Sequence, residues 1–131
     1  MEAPLSQLCI SRFKSNHYES ASGFQLRYKS SNVSQWSYNG GECGANFTTP
    51  NGLLVSPSFP NTYPLNLDCI YTILPSTGTF LKLKILMFDV YNGDCLEIRD
   101  GNYEDSPVVG KFCENNIPAS ILMTQNQARI M

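Results

Sequence analysis

The chain reads as an all-β protein folded as a sandwich, and three observations predict it. Short apolar segments alternate with polar residues at a period of two along much of the 131 residues. Gly, Pro, Asn and Ser gather between those segments, where turns are expected. No segment carries a convincing helical period, and short strands at this spacing favour a sandwich.

The elements follow in order. Leu8 to Phe13 reads as a strand. Ser15 to Gly23 is a polar, small-residue turn, and beyond it Phe24, Leu26 and Tyr28 alternate with Gln25, Arg27 and Lys29, the signature of a half-buried strand. Residues 5 to 29 are therefore a strand pair. Ser30 to Glu42 has no apolar period and reads as a linker whose one anchor is Trp36. Leu53 to Val55 is a short strand before a Pro-rich loop. Cys69, Tyr71 and Ile73 alternate with Ile70, Thr72 and Leu74, as do Leu81, Leu83, Ile85 and Met87 with Lys82, Lys84, Leu86 and Phe88. Leu96 and Ile98 point opposite to Glu97 and Arg99.

Composition narrows the class. The length allows one ordinary domain, or one domain with a fragment of another. Charged residues are 15% of the chain and the net charge is −2, so no basic stripe is legible and nucleic acid is a poor partner. The longest apolar run, Ile85 to Phe88, is far short of the roughly 20 residues that span a bilayer. Met1-Glu2-Ala3-Pro4 does not read as a secretory signal, so a secreted protein would hold this sequence as an internal fragment.

Five cysteines without a C-x-x-C pair, beside a single histidine, read as bridges rather than zinc ligands. Each bridge over loops of this size would stabilise the fold by roughly 3 kcal/mol. Four of them, Cys43, Cys69, Cys95 and Cys113, permit three connectivities, and Cys9 is left over as a buried, inert thiol or a partner in an intermolecular bridge.

The run from Cys43 to Cys113 resembles the CUB family. The resemblance rests on Cys43-Gly44-Ala45-Asn46-Phe47, on Pro50-Asn51-Gly52 leading to Ser56-Pro57-Ser58-Phe59-Pro60-Asn61-Thr62-Tyr63, on Cys69 before a strand, and on Cys95-Leu96-Glu97-Ile98-Arg99-Asp100-Gly101 and Val109-Gly110-Lys111-Phe112-Cys113. It implies a jelly-roll-like antiparallel β-sandwich, an extracellular home, bridges Cys43 to Cys69 and Cys95 to Cys113, and protein binding that often uses calcium. Phe13-Lys14-Ser15-Asn16 and Gly23 to Tyr28 are similar to the last two strands of such a domain.

The resemblance divides the chain into a closing strand pair at 1–30, a linker at 31–42, and a domain at 43–131 that lacks its own closing pair. Two arrangements follow. The chain holds the tail of one domain and an unfinished second, or its first strands fill the vacant place as in a circular permutant. The second is preferred, because exposed edges and core invite aggregation. A linker of about 13 residues reaches roughly 45 Å at most, enough to cross the domain. Exchange of the same strands between chains would satisfy the same edges.

Calcium is the first candidate ligand, because Asp89-Val90-Tyr91-Asn92-Gly93-Asp94 gathers carboxylates and carbonyls in one loop. By resemblance the ligands would be Asp94, Asp89 and, from the N-terminal strands, Asn16. Tyr91 and Asn16 stand where the family has acids, and a plain turn on Asn92-Gly93 is the simpler reading. Asp100-Gly101 and Pro50-Asn51-Gly52 read as turns. Asn32-Val33-Ser34 and Asn46-Phe47-Thr48 fit the glycosylation acceptor, in loop-like sequence. Catalysis has little support: His17 is the only histidine and reads as a turn residue, and there is no nucleophile elbow or phosphate-cradling loop. The expected function is extracellular protein binding, with a structural spacer or a non-catalytic module of a secreted protease as alternatives.

Overall fold

Period-two alternation becomes burial in the computed structural model, which describes residues 9–16, 19–30, 35–74, 81–101, 106–113 and 116–123. Phe24, Leu26 and Tyr28 are buried on β2 (Gly23–Lys29), as are Cys69, Tyr71 and Ile73 on β6 (Asp68–Ile73) and Leu96 and Ile98 on β8 (Cys95–Asp100). The alternation on β7 (Leu81–Asp89) holds at Leu81 and Leu83. Opposite Gln25 and Leu26 a bulge interrupts the β7 register, and beyond it Ile85, Met87 and Phe88 are all half-buried.

The remaining strands among the described residues are β1 (Cys9–Lys14), β3 (Trp36–Tyr38), β4 (Ala45–Phe47), β5 (Asn51–Val55), β9 (Val108–Phe112) and β10 (Ser120–Met123). They assemble into two five-stranded sheets, ordered β4-β6-β1-β8-β9 and β10-β7-β2-β5-β3. Pairing is antiparallel except where the short strands β4 and β3 add in parallel to β6 and β5. Within the stretch read as a linker, Trp36 to Tyr38 thus forms an edge strand.

The two N-terminal strands are the middle strand of each sheet. β1 runs between β6 and β8, with Phe13 opposite Cys69 on one side and Leu96 on the other. β2 runs between β7 and β5, with Tyr28 opposite Leu83 and Gly52. The sandwich is completed by the first strand pair of the same chain, as in a circular permutant.

The core is aromatic and is shared between the sheets. Phe13 of the first sheet meets Phe24 of the second edge to face at 4.9 Å, Phe24 reaches Tyr71 at 6.2 Å, and Tyr28 meets Phe47 at 5.6 Å. Burial pushes the Tyr71 phenol up to about 12. Gly52 lies in β5 rather than in the expected turn. A Cβ there would stand 2.1 Å from the Tyr28 ring, so the residue is glycine for close approach. Disulfides join Cys43 to Cys69 and Cys95 to Cys113. His17, Asn32 and the Cys9 side chain lie outside the described residues.

Candidate functional site

At one end of the sandwich the loop after β7 folds over the turn between β1 and β2. Its anchor is Asp94, whose side chain is fully buried. A buried carboxylate needs donors for its oxygens. Tyr63 supplies one, its hydroxyl donating to Asp94 Oδ2 at 2.5 Å, and the backbone N–H of Asn16 donates to Oδ1 at 2.8 Å.

Tyr63 links three segments. Its ring is buried and packs edge to face on Phe13 at 5.0 Å. Its N–H donates to the Ala21 carbonyl, and its hydroxyl oxygen accepts from the Tyr91 N–H at 2.9 Å. Burial, and then the bond to Asp94, raise the phenol well above its ordinary range, so it remains a donor at neutral pH. Sequence reasoning used Tyr63 only as part of a motif. Its partner lies 31 positions away, and pairing over that distance leaves no local signal.

The structure brings the three residues suggested for calcium to this same end. Asp89 closes β7 and its Oδ2 accepts from the Ser22 N–H at 3.2 Å. The Asn16 side chain lies next to Gly93, where an added Cβ would stand 3.0 Å from its Nδ2, and Gly93 itself turns at a φ of 93°. Calcium takes about 6–8 oxygen ligands, mostly carboxylate and carbonyl. Here both Asp94 oxygens accept from protein donors, the Tyr63 hydroxyl and the Asn16 peptide N–H. Tyr91 supplies a half-exposed ring in place of an acid. Among the described residues no three acids, histidines or cysteines come together in a metal-binding group. The residues present do not fit a calcium centre; hydrogen bonds hold the loop instead.

The other sequence candidates scatter. Asn46 is exposed on the edge strand β4, not in a loop. Glu97 and Arg99 pair with each other at 2.9 Å, and Arg99 Nη1 also donates to the Ser106 carbonyl at 2.7 Å.

Comparison with known proteins follows the same lines. The family model of the CUB domain matches residues 43–131. Human neuropilin-2 is 36% identical over 121 residues, covering 84% of this chain and 12% of that protein. Human cubilin is 40% identical over 91 residues, covering 65% of this chain and 2% of cubilin. A cubilin homolog of Drosophila melanogaster is 29% identical over 131 residues, 96% of this chain and 3% of that protein, so the likeness runs through the N-terminal strands as well. The chain spans 12% or less of the length of these relatives. No solved structure matches.

Proposed function

This chain belongs to the CUB family, and from that premise we propose that it is a non-catalytic, extracellular protein-binding module of a larger receptor or secreted protein. Two disulfides in so short a chain suit an oxidising compartment. Residues 1–30 are the closing strand pair of one CUB copy, 31–42 the connection, and 43–131 the next copy without its last pair. The collinear likeness over 96% of the chain supports that division. A glycan at Asn46 would shield the open edge of the first sheet, where unpaired strand groups are a liability.

The observation that carries the binding role is the anchored end loop. Asp94, Tyr63 and the Asn16 backbone fix its base, and the Tyr91 side chain remains 37% exposed while its own N–H is held by the Tyr63 hydroxyl. A loop ordered before binding loses less entropy on association, and tyrosine is enriched among the residues that dominate interfaces. Binding is independent of calcium.

The test is a screen of purified secreted and cell-surface proteins against the chain and its Tyr91→Ala variant, in calcium and in chelator. A partner that is held equally with and without calcium and lost on Tyr91→Ala supports the reading. Absence of any partner indicates a spacer, and a melting temperature that rises in millimolar calcium would overturn the calcium-free anchor.

A further inference from the structure

The second sheet turns a row of like charges outward. Arg27 on β2 stands directly opposite Lys84 on β7, and Lys29 opposite Lys82. Like charges set face to face across antiparallel strands weaken a sheet. Among the described residues none of the four forms an ion pair with a carboxylate. Side chains opposite each other lie roughly 5 Å apart and those two positions along a strand roughly 7 Å apart, so the four cations form a small grid. No run of basic residues reveals it, because alternate positions on two strands distant in sequence build it.

An aromatic residue stands beside the grid. The parallel register of β3 on β5 puts Trp36 next to Asn51 and Tyr38 next to Leu53, and β5 in turn sets Asn51 opposite Lys29 and Leu53 opposite Arg27. Trp36 and Tyr38 are 50% and 57% exposed. Trp36 and the four cations line one shallow recess of about 290 Å³. Although the net charge is −2, four of the nine Lys and Arg residues surround this recess.

The geometry points to a binding site for a sulfated polysaccharide chain on the outer face of the second sheet. Sulfates repeating along a flexible chain match a cation grid without demanding one exact pose, and the indole of Trp36 offers a flat apolar face to a sugar ring. Arg27 contributes a planar fork of donors to one sulfate oxygen pair, and the three lysines act as mobile point charges. A recess favours a narrow chain over a planar bilayer, which would touch only the rim. The site is on a sheet face, apart from the loop that carries Tyr91.

Titration of the disulfide-bonded chain with a size-defined heparin oligosaccharide tests this. Binding should be present at physiological salt and fade near 1 M, where the screening length is about 3 Å. Arg27→Gln with Lys84→Gln should weaken it by about tenfold or more, since each lost cation removes a counter-ion contact. Trp36→Ala should weaken it by a smaller factor. Lys14→Gln with Lys111→Gln, on the opposite outer face, should leave it unchanged. The paired variant relieves repulsion, so its melting temperature should hold or rise, which separates lost binding from lost folding. Equal loss in the Lys14 and Lys111 variant, equal binding of desulfated heparin, no binding at all, or tighter binding to phosphatidylserine vesicles than to heparin would each overturn the assignment.

Discussion

Among the described residues the two outer faces of the sandwich hold four cations each and treat them in opposite ways. On the first sheet Glu97 of β8 lies between Arg12 of β1 and Lys111 of β9 in the cross-strand register, and Arg99 binds Glu97 directly. Arg12 also grips Asp68 through two bonds of 2.7 Å. On the second sheet, Arg27, Lys29, Lys82 and Lys84 face one another with an indole alongside. Net charge and composition are blind to this contrast. What decides it is which strand lies beside which, so electrostatic character in a β-sandwich belongs to strand order rather than to local sequence.

The contrast can be broken most completely by removing what both faces are built on. Deleting residues 1–30 takes the middle strand from each sheet. The remainder should lose its cooperative thermal transition in calorimetry and bind an apolar dye, because the shared core and four strand edges would be exposed. A defined melting transition in the deletion would show that the sheets do not need these strands.

A smaller effect probes the layer between the faces. Phe13→Ala and Phe24→Ala should each lower the unfolding free energy in urea by about 3–5 kcal/mol. Because the rings touch, the double variant should lose less than the sum of the two. Strict additivity would mean that the sheets pack independently.

Charge reversal sharpens the comparison itself. Lys84→Glu places an acid opposite Arg27 and should raise stability by roughly 0.2–1 kcal/mol, whereas Lys111→Glu sets an acid opposite Glu97 and should lower it by a similar amount. Effects of the same sign would contradict the described charge environments.

The smallest effect is the response to acid. The bond from Arg12 holds the Asp68 carboxyl below its ordinary value. A depressed folded pKa contributes stability above the unfolded value, near 4, that is lost as pH falls through the folded one. Exposure limits that contribution to a few tenths of a kcal/mol. Carboxyl NMR titration should find Asp68 low, and Arg12→Gln should return it toward 4. Among the described residues the second face has no acid in its grid, and it should show no such step.

Most strands were legible because one side of each faces the core. Leu81 and Leu83, Cys69 to Ile73, and Leu96 with Ile98 declare themselves by alternation, and the bridges followed from the resemblance. The edge strands β3 and β4 were not legible, since three residues cannot show a period. Beyond the β7 bulge, alternation stops reporting depth because one residue has slipped out of register. At the end loop Asp94 was named as a calcium ligand. Its donors, the Tyr63 hydroxyl and the Asn16 N–H, lie 31 and 78 positions away.

By itself the sequence determined the all-β class, the inward residues of the long strands, the reading of the cysteines as bridges rather than zinc ligands and the turn at Gly93. These rest on local rules, namely a two-residue pleat, glycine's freedom at positive φ and the chemistry of thiols. Only the tertiary structure decided that the first two strands sit at the centre of the two sheets, that Asp94 is held by a phenol and a peptide N–H, and that four scattered cations share one recess. Those outcomes depend on which distant segments become neighbours, and the free energy that selects them comes from burying both sheets against one aromatic core.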